Sequence, residues 1–166
     1  MVPRSTGVSA IATGLETAGI ISDADVFEYG VRLSGAGSQL KAGEFAFPPG
    51  ASMRQVMEKL KSGDSIMHAV TIPEGWTVNR AYERIQNADF LTGEMPGEVP
   101  EGTLKPDTYL VQRGTTRKEI VRQMKSAQDQ MAQEIWEGRD EDLPIKDIGQ
   151  FITLASIVER ETGIAG

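Results

Sequence analysis

IMHAVTIPEGWTVNRAYERI, residues 66–85, passes from the period of a strand to the period of a helix within twenty positions. Residues 66–72 form an extended run that stops at a proline. Thr77 then provides a helix cap, and Ala81 and Ile85 follow it at four-residue spacing, on one helical face. A strand followed at once by a short amphipathic helix predicts an α+β fold.

The same helix pattern occurs elsewhere in the chain. A Gly, Ser or Thr is followed by an apolar residue four positions later and by another eight positions later. The other examples are Gly7/Ile11/Leu15, Ser52/Val56/Leu60 and Thr116/Ile120/Met124. Gln55 and Glu119 add capping-box spacing to two of them. Further predicted elements are helices at 22–33, 116–136 and 146–162 and strands at 43–49 and 108–112.

Composition restricts the classes of function. The 166 residues carry a net charge of -7, which would repel the phosphates of nucleic acid, so we expect no nucleic-acid partner. The chain has no cysteine, and His68 is its one histidine, so the usual zinc ligands and thiolate chemistry are missing. We therefore expect neither a metal nor a cofactor, and acid–base chemistry falls to Asp, Glu, Tyr or Lys.

Prolines and glycines cluster at residues 92–105 and indicate a loop or linker. We place a domain boundary there, between residues 1–90 and 91–166. The chain contains no apolar run of about 18 residues that would span a membrane. It begins directly in a helix signal and ends directly after a patterned helix, so we expect a fragment of a longer protein.

The last predicted helix carries the first candidate site. An apolar run at 151–158 is expected to pack this helix into a core, and Glu159 and Glu161 follow the run. Two residues apart on a helix, the two carboxylates point in roughly opposite directions, so at most one faces a given cleft. The spacing alone favours an ordinary solvated helix end over a catalytic carboxyl group.

A second candidate site is the rigid loop 100–109, which presents Glu101, Asp107 and Tyr109. The alternative is a structural turn in which Asp107 bonds to nearby backbone. Trp76 precedes a helix cap, where a hydrophobic staple onto the helix is favoured over stacking on a sugar.

Three motifs occur in order along the chain: IPEGWT at 72–77, EGTLKPDTY at 101–109 and ASIVERET at 155–162. Together they resemble the endolytic murein transglycosylase, or YceG-like, family. The resemblance extends over nearly the whole chain. It implies a lyase that cleaves the MurNAc–GlcNAc β-1,4 bond inside peptidoglycan strands and leaves 1,6-anhydro-MurNAc ends.

The resemblance also implies roles for individual residues. Glu161 matches the glutamate that serves first as acid and then as base, and Glu159 is a supporting residue on the substrate side. Glu101, Asp107 and Tyr109 are assigned to substrate binding. Residues 1–90 correspond to a LysM-like module, and residues 91–166 correspond to the first part of a mainly helical catalytic domain that is incomplete in this chain.

Partners and location are implied in the same way. Peptidoglycan is the expected substrate, cell-wall synthesis proteins are expected partners, and the expected place is the extracytoplasmic face of the inner membrane, held by an anchor absent from this sequence. The sequence departs from the family at Thr103 and Lys105, where an aromatic residue is usual, and it lacks the segment that continues past the ASIVERET helix. We therefore expect weak glycan binding and no turnover from the fragment itself.

One alternative stays open at this point, and a second is discounted. A non-catalytic peptidoglycan-binding or scaffold module would also fit a LysM-like portion without a complete catalytic domain. A pyridoxal-phosphate lyase is disfavoured because the chain shows no Gly-rich phosphate loop.

Overall fold

A computed structural model of the chain describes residues 1–2, 6–140 and 143–162, the last four of these by their backbone alone. These residues form six helices and two strands, which confirms the α+β class. In chain order the elements are α1 Val8–Thr17, α2 Ala24–Leu33, α3 Met53–Ser62, β1 Met67–Ile72, α4 Val78–Gln86, β2 Asp107–Gln112, α5 Arg117–Glu137 and α6 Ile148–Thr162.

Two helix starts depend on capping boxes. At α3 the hydroxyl of Ser52 accepts the N–H of Gln55, and the Gln55 side chain accepts the N–H of Ser52 in return. Thr116 and Glu119 make the same exchange at α5. Each pair satisfies N–H groups that a first helical turn leaves without partners, and both predicted starts are confirmed.

Helix α2 begins slightly later than the predicted start at Ser22. Asp23 is the N-cap, and its carboxylate accepts the N–H of Val26 at 2.9 Å. The predicted role of Asp23 was only a favourable charge near the helix N-terminus. A short carboxylate is a strong N-cap, so it defines the first turn at Asp23.

One compact unit consists of residues 1–68 with the short segment 112–114. Helices α1 and α2 pack together in it, and Val56 and Leu60 of α3 lie in the same core. Val2 and Gly43 exchange both backbone hydrogen bonds, at 2.8 and 2.9 Å, in an antiparallel bridge. Two helices are thus enclosed in sequence between two chain segments that pair with each other.

The predicted strand at 43–49 is wrong for the described residues. Only Gly43 makes a bridge, and the remainder is extended chain without a ladder. Phe45 and Phe47 pack against the core of the first unit, with their ring centroids 6.2 Å apart. Side-chain packing rather than strand pairing explains the alternating pattern, and the prolines that follow have no N–H for a ladder.

A second compact unit contains residues 69–111 and the chain from Thr115 onward. Strands β1 and β2 form a two-stranded sheet whose alternate side chains enter its core. The buried set consists of Val70, Ile72, Val78, Ala81, Ile85, Leu91, Leu104, Tyr109, Val111, Ile120, Val121 and Met124. Burial of one side chain of the size of Ile85 or Ile120 stabilises the fold by about 1.5–3 kcal/mol.

The Pro- and Gly-rich segment 92–105 is tied to the second unit and is not a free linker. The guanidinium of Arg117 donates to the carbonyl oxygens of Gly93 at 2.7 Å and Gln86 at 2.9 Å. The hydroxyl of Tyr82 donates to the carbonyl of Gly97 at 2.9 Å. Side chains from α4 and α5 thus satisfy backbone carbonyl groups in and next to this segment that have no helix or strand partner.

The compact units and the predicted boundary divide the chain at different points. The first unit ends at His68, whereas the predicted modules meet at residues 90 and 91. The compact units are defined by packing, whereas the predicted modules were defined by family resemblance. The division into a LysM-like module at 1–90 and a catalytic portion at 91–166 therefore stays a prediction.

Helix α6 is more exposed than its sequence predicts. Leu154, Ile157 and Val158 are 48%, 54% and 53% exposed, while Phe151 and Ile152 are half-buried. An apolar run of this length covers every side of a helix, and in the described part of the chain α5 and the loop around Gly102 cover only one side. The expectation that the run enters a core is wrong for these three residues.

Candidate functional site

Glu101 in the loop 100–109 binds the start of α4. Both of its carboxylate oxygens accept the backbone N–H of Val78, at 3.1 and 2.9 Å. Thr77, the N-cap of the same helix, accepts the N–H of Arg80. Glu101 therefore satisfies a helix N–H from a distant part of the sequence, and its negative charge lies at the positive end of the helix dipole.

Asp107 opens β2 with an exposed carboxylate. It accepts the N–H of Thr108 at 2.7 Å and pairs with Nζ of Lys105 at 3.3 Å. These two bonds, the backbone one first, hold the pKa of Asp107 below its usual range. The carboxylate is therefore charged at neutral pH, and its exposure leaves it accessible to a ligand.

Tyr109 lies in the core of the second unit rather than on a surface. It is 6% exposed, and its hydroxyl donates to the carbonyl of Lys105 at 2.8 Å. Burial, and secondarily the charge of Asp107, raises the pKa of Tyr109 to about 12. Its phenol is neutral over the physiological range and holds the turn of the loop.

Helix α6 lies against this loop. Gly102 has a φ of +76°, and a Cβ at that position would lie 2.8 Å from Cγ2 of Ile152. The helical backbone continues to Thr162, so Glu159 and Glu161 both belong to the helix. They are separated by about 200° around its axis. Their side chains lie outside the described part of the structure.

Trp76 is half-buried and packs against the core of the second unit. The guanidinium of Arg80 lies 4.6 Å from its ring centroid. The ring is thus engaged by the protein on more than one side, which favours the packing role over sugar stacking.

Glu44, His68 and Arg113 form a charged cluster in the first unit that the sequence analysis missed. Oε2 of Glu44 accepts from Nε2 of His68 at 2.8 Å and from Nε of Arg113 at 2.9 Å. The hydrogen bond from His68, followed by that from Arg113, holds the pKa of Glu44 below its usual value. No local sequence signal unites three residues so far apart in the chain.

A groove in the second unit was also missed. It lies between residues 96–99 and one face of α5, and it has a volume of about 380 Å³. Its lining consists of Pro96, Val99, Lys118, Val121, Arg122, Lys125, Ser126 and Asp129. The signal was available in the sequence, since three cations at positions 118, 122 and 125 share one face of a predicted helix.

Within the described ranges, no group of three or more acidic or histidine side chains is arranged to hold a metal ion. No helix in that same part of the chain is both long and apolar enough to cross a membrane.

The alignment with protein families covers the whole chain. The model of the YceG-like family matches residues 1–166, and the chain belongs to that family. Two curated relatives, each described as an endolytic murein transglycosylase, come from Streptococcus pneumoniae serotype 2 strain D39 and from strain ATCC BAA-255 / R6. Each is 21% identical to this chain, and the match covers 96% of this chain. This chain spans 36% of the length of each relative.

The solved structures include a yceG-like protein, lmo1499, from Listeria monocytogenes. It is 22% identical to this chain with a TM-score of 0.43, and the match covers 82% of this chain and 55% of the other.

Proposed function

We propose that this chain is part of a lytic transglycosylase that cleaves the MurNAc–GlcNAc β-1,4 bond inside peptidoglycan strands and leaves 1,6-anhydro-MurNAc ends. The observation that carries the proposal is the family match over residues 1–166, together with relatives described as endolytic murein transglycosylases. Because the chain spans 36% of the length of those relatives, the activity is proposed for the whole protein of which these residues form a part.

Glu161 is the proposed acid and base. As acid, its carboxyl group donates a proton to the oxygen that leaves as the glycosidic bond breaks. As base, the resulting carboxylate takes the proton of the C6 hydroxyl while that oxygen bonds to the anomeric carbon. The proton that Glu161 gives to the leaving oxygen is replaced by the proton of the C6 hydroxyl, so no water takes part. One carboxyl group is therefore sufficient, and the paired carboxylates of ordinary hydrolases are not required.

The surroundings of α6 support a role for this helix. An acid that acts near neutral pH needs a raised pKa, which partial removal from water provides. Leu154, Ile157 and Val158 expose apolar surface along the turns that precede Glu161. Substrate or further polypeptide lying on this surface would exclude water from the end of the helix. Glu159 is proposed as a supporting residue for substrate.

The loop 100–109 is the proposed wall of the substrate cleft, and its three predicted residues have unequal roles. Asp107, exposed and charged, is the residue best suited to meet hydroxyl groups of a sugar. Glu101 and Tyr109 use their polar atoms within the protein, so we propose that they act by holding the loop in shape.

Residues 1–90 are proposed as a LysM-like glycan-binding module and residues 91–166 as the beginning of the catalytic domain. The helix pair α1 and α2, enclosed between the paired segments at Val2 and Gly43, supports a small module in the first part. The proposed location is the extracytoplasmic face of the inner membrane, with cell-wall synthesis proteins as partners.

Product mass spectrometry on purified peptidoglycan tests the proposal. The assay uses residues 1–166 extended to the length of the curated relatives, with Glu161→Gln and Glu159→Gln variants beside the parent. Anhydro-MurNAc ends from the parent and from Glu159→Gln, but not from Glu161→Gln, are expected. Equal products from the parent and Glu161→Gln would move the acid–base role to another carboxylate, and no products from any of the three would contradict the enzyme assignment.

A non-catalytic peptidoglycan-binding module is the second candidate function. It is favoured by the first unit, where the helix pair α1 and α2 is enclosed between the paired segments at Val2 and Gly43. For residues 1–166 alone we propose weak glycan binding without turnover. Saturable binding to peptidoglycan that survives Glu161→Gln, with no products from the extended protein, would favour this module over the enzyme.

A further inference from the structure

The groove beside α5 concentrates positive charge in an acidic protein. Lys118, Arg122 and Lys125 line it with Asp129 as the one acidic residue, although the chain as a whole has a net charge of -7. Spacings of four and three residues place the three cations in one row along the helix. This row is therefore a local reversal of the overall charge.

The three cations have no partners in the described part of the chain. None of them forms a hydrogen bond or an ion pair there, and they are exposed or half-buried. Several cations elsewhere in that part of the chain are engaged, such as Lys59 by Asp64 and Arg113 by Glu44. Positive charge in the groove is thus available to an external anion.

The stability of α5 does not explain this row. Lys118 lies in the first turn, where the positive end of the helix dipole disfavours a cation. Lys118 and Arg122 are four residues apart and repel each other across one turn, as do Arg122 and Lys125 at a separation of three. A row of cations that disfavours the helix is explained if a negatively charged ligand binds to it.

The rest of the lining narrows the class of ligand. Pro96, Val99 and Val121 give the groove an apolar side, and Val121 is 3% exposed. Asp129 lies four residues beyond Lys125 and adds a negative charge at the C-terminal end of the row. Such a lining fits an extended ligand that has several carboxylates, small apolar groups and an amino group at one end.

We propose that this groove binds an acidic peptide with small apolar side chains, which is the chemistry of the stem peptides of peptidoglycan. This inference rests on the proposed function, since it names the part of that substrate which the second unit holds. The carboxylates lie along Lys118, Arg122 and Lys125, the methyl groups contact Pro96 and Val99, and the amino group meets Asp129. The groove thus fixes the peptide, and the bond that breaks belongs to the glycan strand.

The direct test is titration of residues 1–166 with a synthetic stem tetrapeptide that contains alanine, γ-linked glutamate and a diamino acid, followed by backbone amide NMR. The double variant Arg122→Gln/Lys125→Gln should bind at least about tenfold more weakly, because each charged hydrogen bond contributes strongly to binding. Arg84→Gln/Arg54→Gln is the matched control, since it removes two exposed cations outside the groove. The same peptide with its carboxylates amidated should also bind at least about tenfold more weakly.

The groove variant should unfold at a midpoint no lower than that of the parent, because its substituted side chains lie outside the core and their removal relieves like-charge repulsion along α5. The control should unfold close to the parent, because Arg54 and Arg84 are exposed. Two further probes are peptide-free chitin oligomers and vesicles of phosphatidylglycerol. Amide shifts at α5 on peptide addition, lost in the groove variant and kept in the control, support the proposal. Absence of peptide binding, equal binding by the groove variant, or a response at α5 to the vesicles alone overturns it.

The test separates this inference from the proposed function. If the extended protein releases no anhydro products but the peptide binds at α5, the enzyme assignment is contradicted and peptide binding in the groove is supported. If products appear and the peptide does not bind, the proposed peptide binding is contradicted and the enzyme assignment is retained.

Discussion

Ile152 of α6 occupies the space that a side chain at Gly102 would need, with 2.8 Å between its Cγ2 and the position of a Cβ on that glycine. The loop that carries Glu101 and the helix that carries Glu161 therefore meet at a residue without a side chain. The φ of +76° at Gly102 adds a second reason for glycine, since other residues rarely adopt it.

Gly102→Ala should lower the free energy of unfolding of the second unit by about 1–3 kcal/mol, through backbone strain and displacement of Ile152. Urea unfolding and amide exchange within α6 measure the effect. Gly97→Ala is the control, because a Cβ there meets no atom within 4 Å and its φ is not positive. Equal stability of the two variants would show that α6 tolerates a shift off the loop.

Glu101→Ala should destabilise the protein by about 1 kcal/mol, because the N–H of Val78 at the start of α4 loses its acceptor. Chemical denaturation compares it with Glu94→Ala, in which an exposed glutamate from the same segment is removed. If Glu101 has only a structural role, Glu101→Ala should be less stable than the parent, but its folded molecules should bind glycan with the same affinity. Unchanged stability with weaker glycan binding would instead make Glu101 a ligand contact.

Glu44→Gln should reduce the sensitivity of the first unit to acid. Since the folded-state pKa of Glu44 is lowered from 4.5, its stabilisation is present above about pH 4.5 and is lost as the pH falls through the folded value. Urea midpoints at about pH 7 and about pH 3.5 should therefore differ less in Glu44→Gln than in the parent. Asp25→Asn is the control, and an identical change of midpoint in both variants would argue against the cluster with His68 and Arg113.

Tyr109→Phe should lower the free energy of unfolding by about 1 kcal/mol, because the carbonyl of Lys105 loses a hydrogen bond from a buried phenol. The difference in ultraviolet absorbance between parent and variant should titrate near the raised pKa of about 12. Because the pKa is raised above 10.0, this stabilisation is complete below about pH 10 and is lost as the pH rises toward 12. Tyr29→Phe, at an exposed position, should leave stability unchanged; a phenol of Tyr109 that titrated near 10 would contradict its burial.

Local signals allowed much of the fold to be predicted. Ser52 and Thr116 mark helix starts because a capping box involves residues only three positions apart, and α3 and α5 begin where expected. The strand predicted at 43–49 is absent because an alternating sequence determines only which side chains pack inward. Whether the backbone also pairs depends on the tertiary structure.

The candidate site was less accessible to sequence reasoning. Asp107 is exposed as a binding residue needs to be, whereas the burial of Tyr109 depends on how β2 packs in the second unit. The bond between Glu101 and Val78 joins residues 23 positions apart. The role of Glu161 was inferred from motif resemblance, since the spacing of two glutamates on a helix does not distinguish a catalytic carboxyl group from a solvated one.

The discontinuity of the first unit has an evolutionary and a practical consequence. Its 112–114 segment supplies Arg113, which bonds to Glu44, and Gln112, whose side chain donates to Ser65 at 2.9 Å. A gene segment that encodes residues 1–90 would leave both bonds behind. The proposed module at 1–90 therefore lacks two of the bonds of the first unit when it is transferred alone. An insertion or deletion within β2 should displace Gln112 and Arg113 from Ser65 and Glu44, which lie much earlier in the sequence.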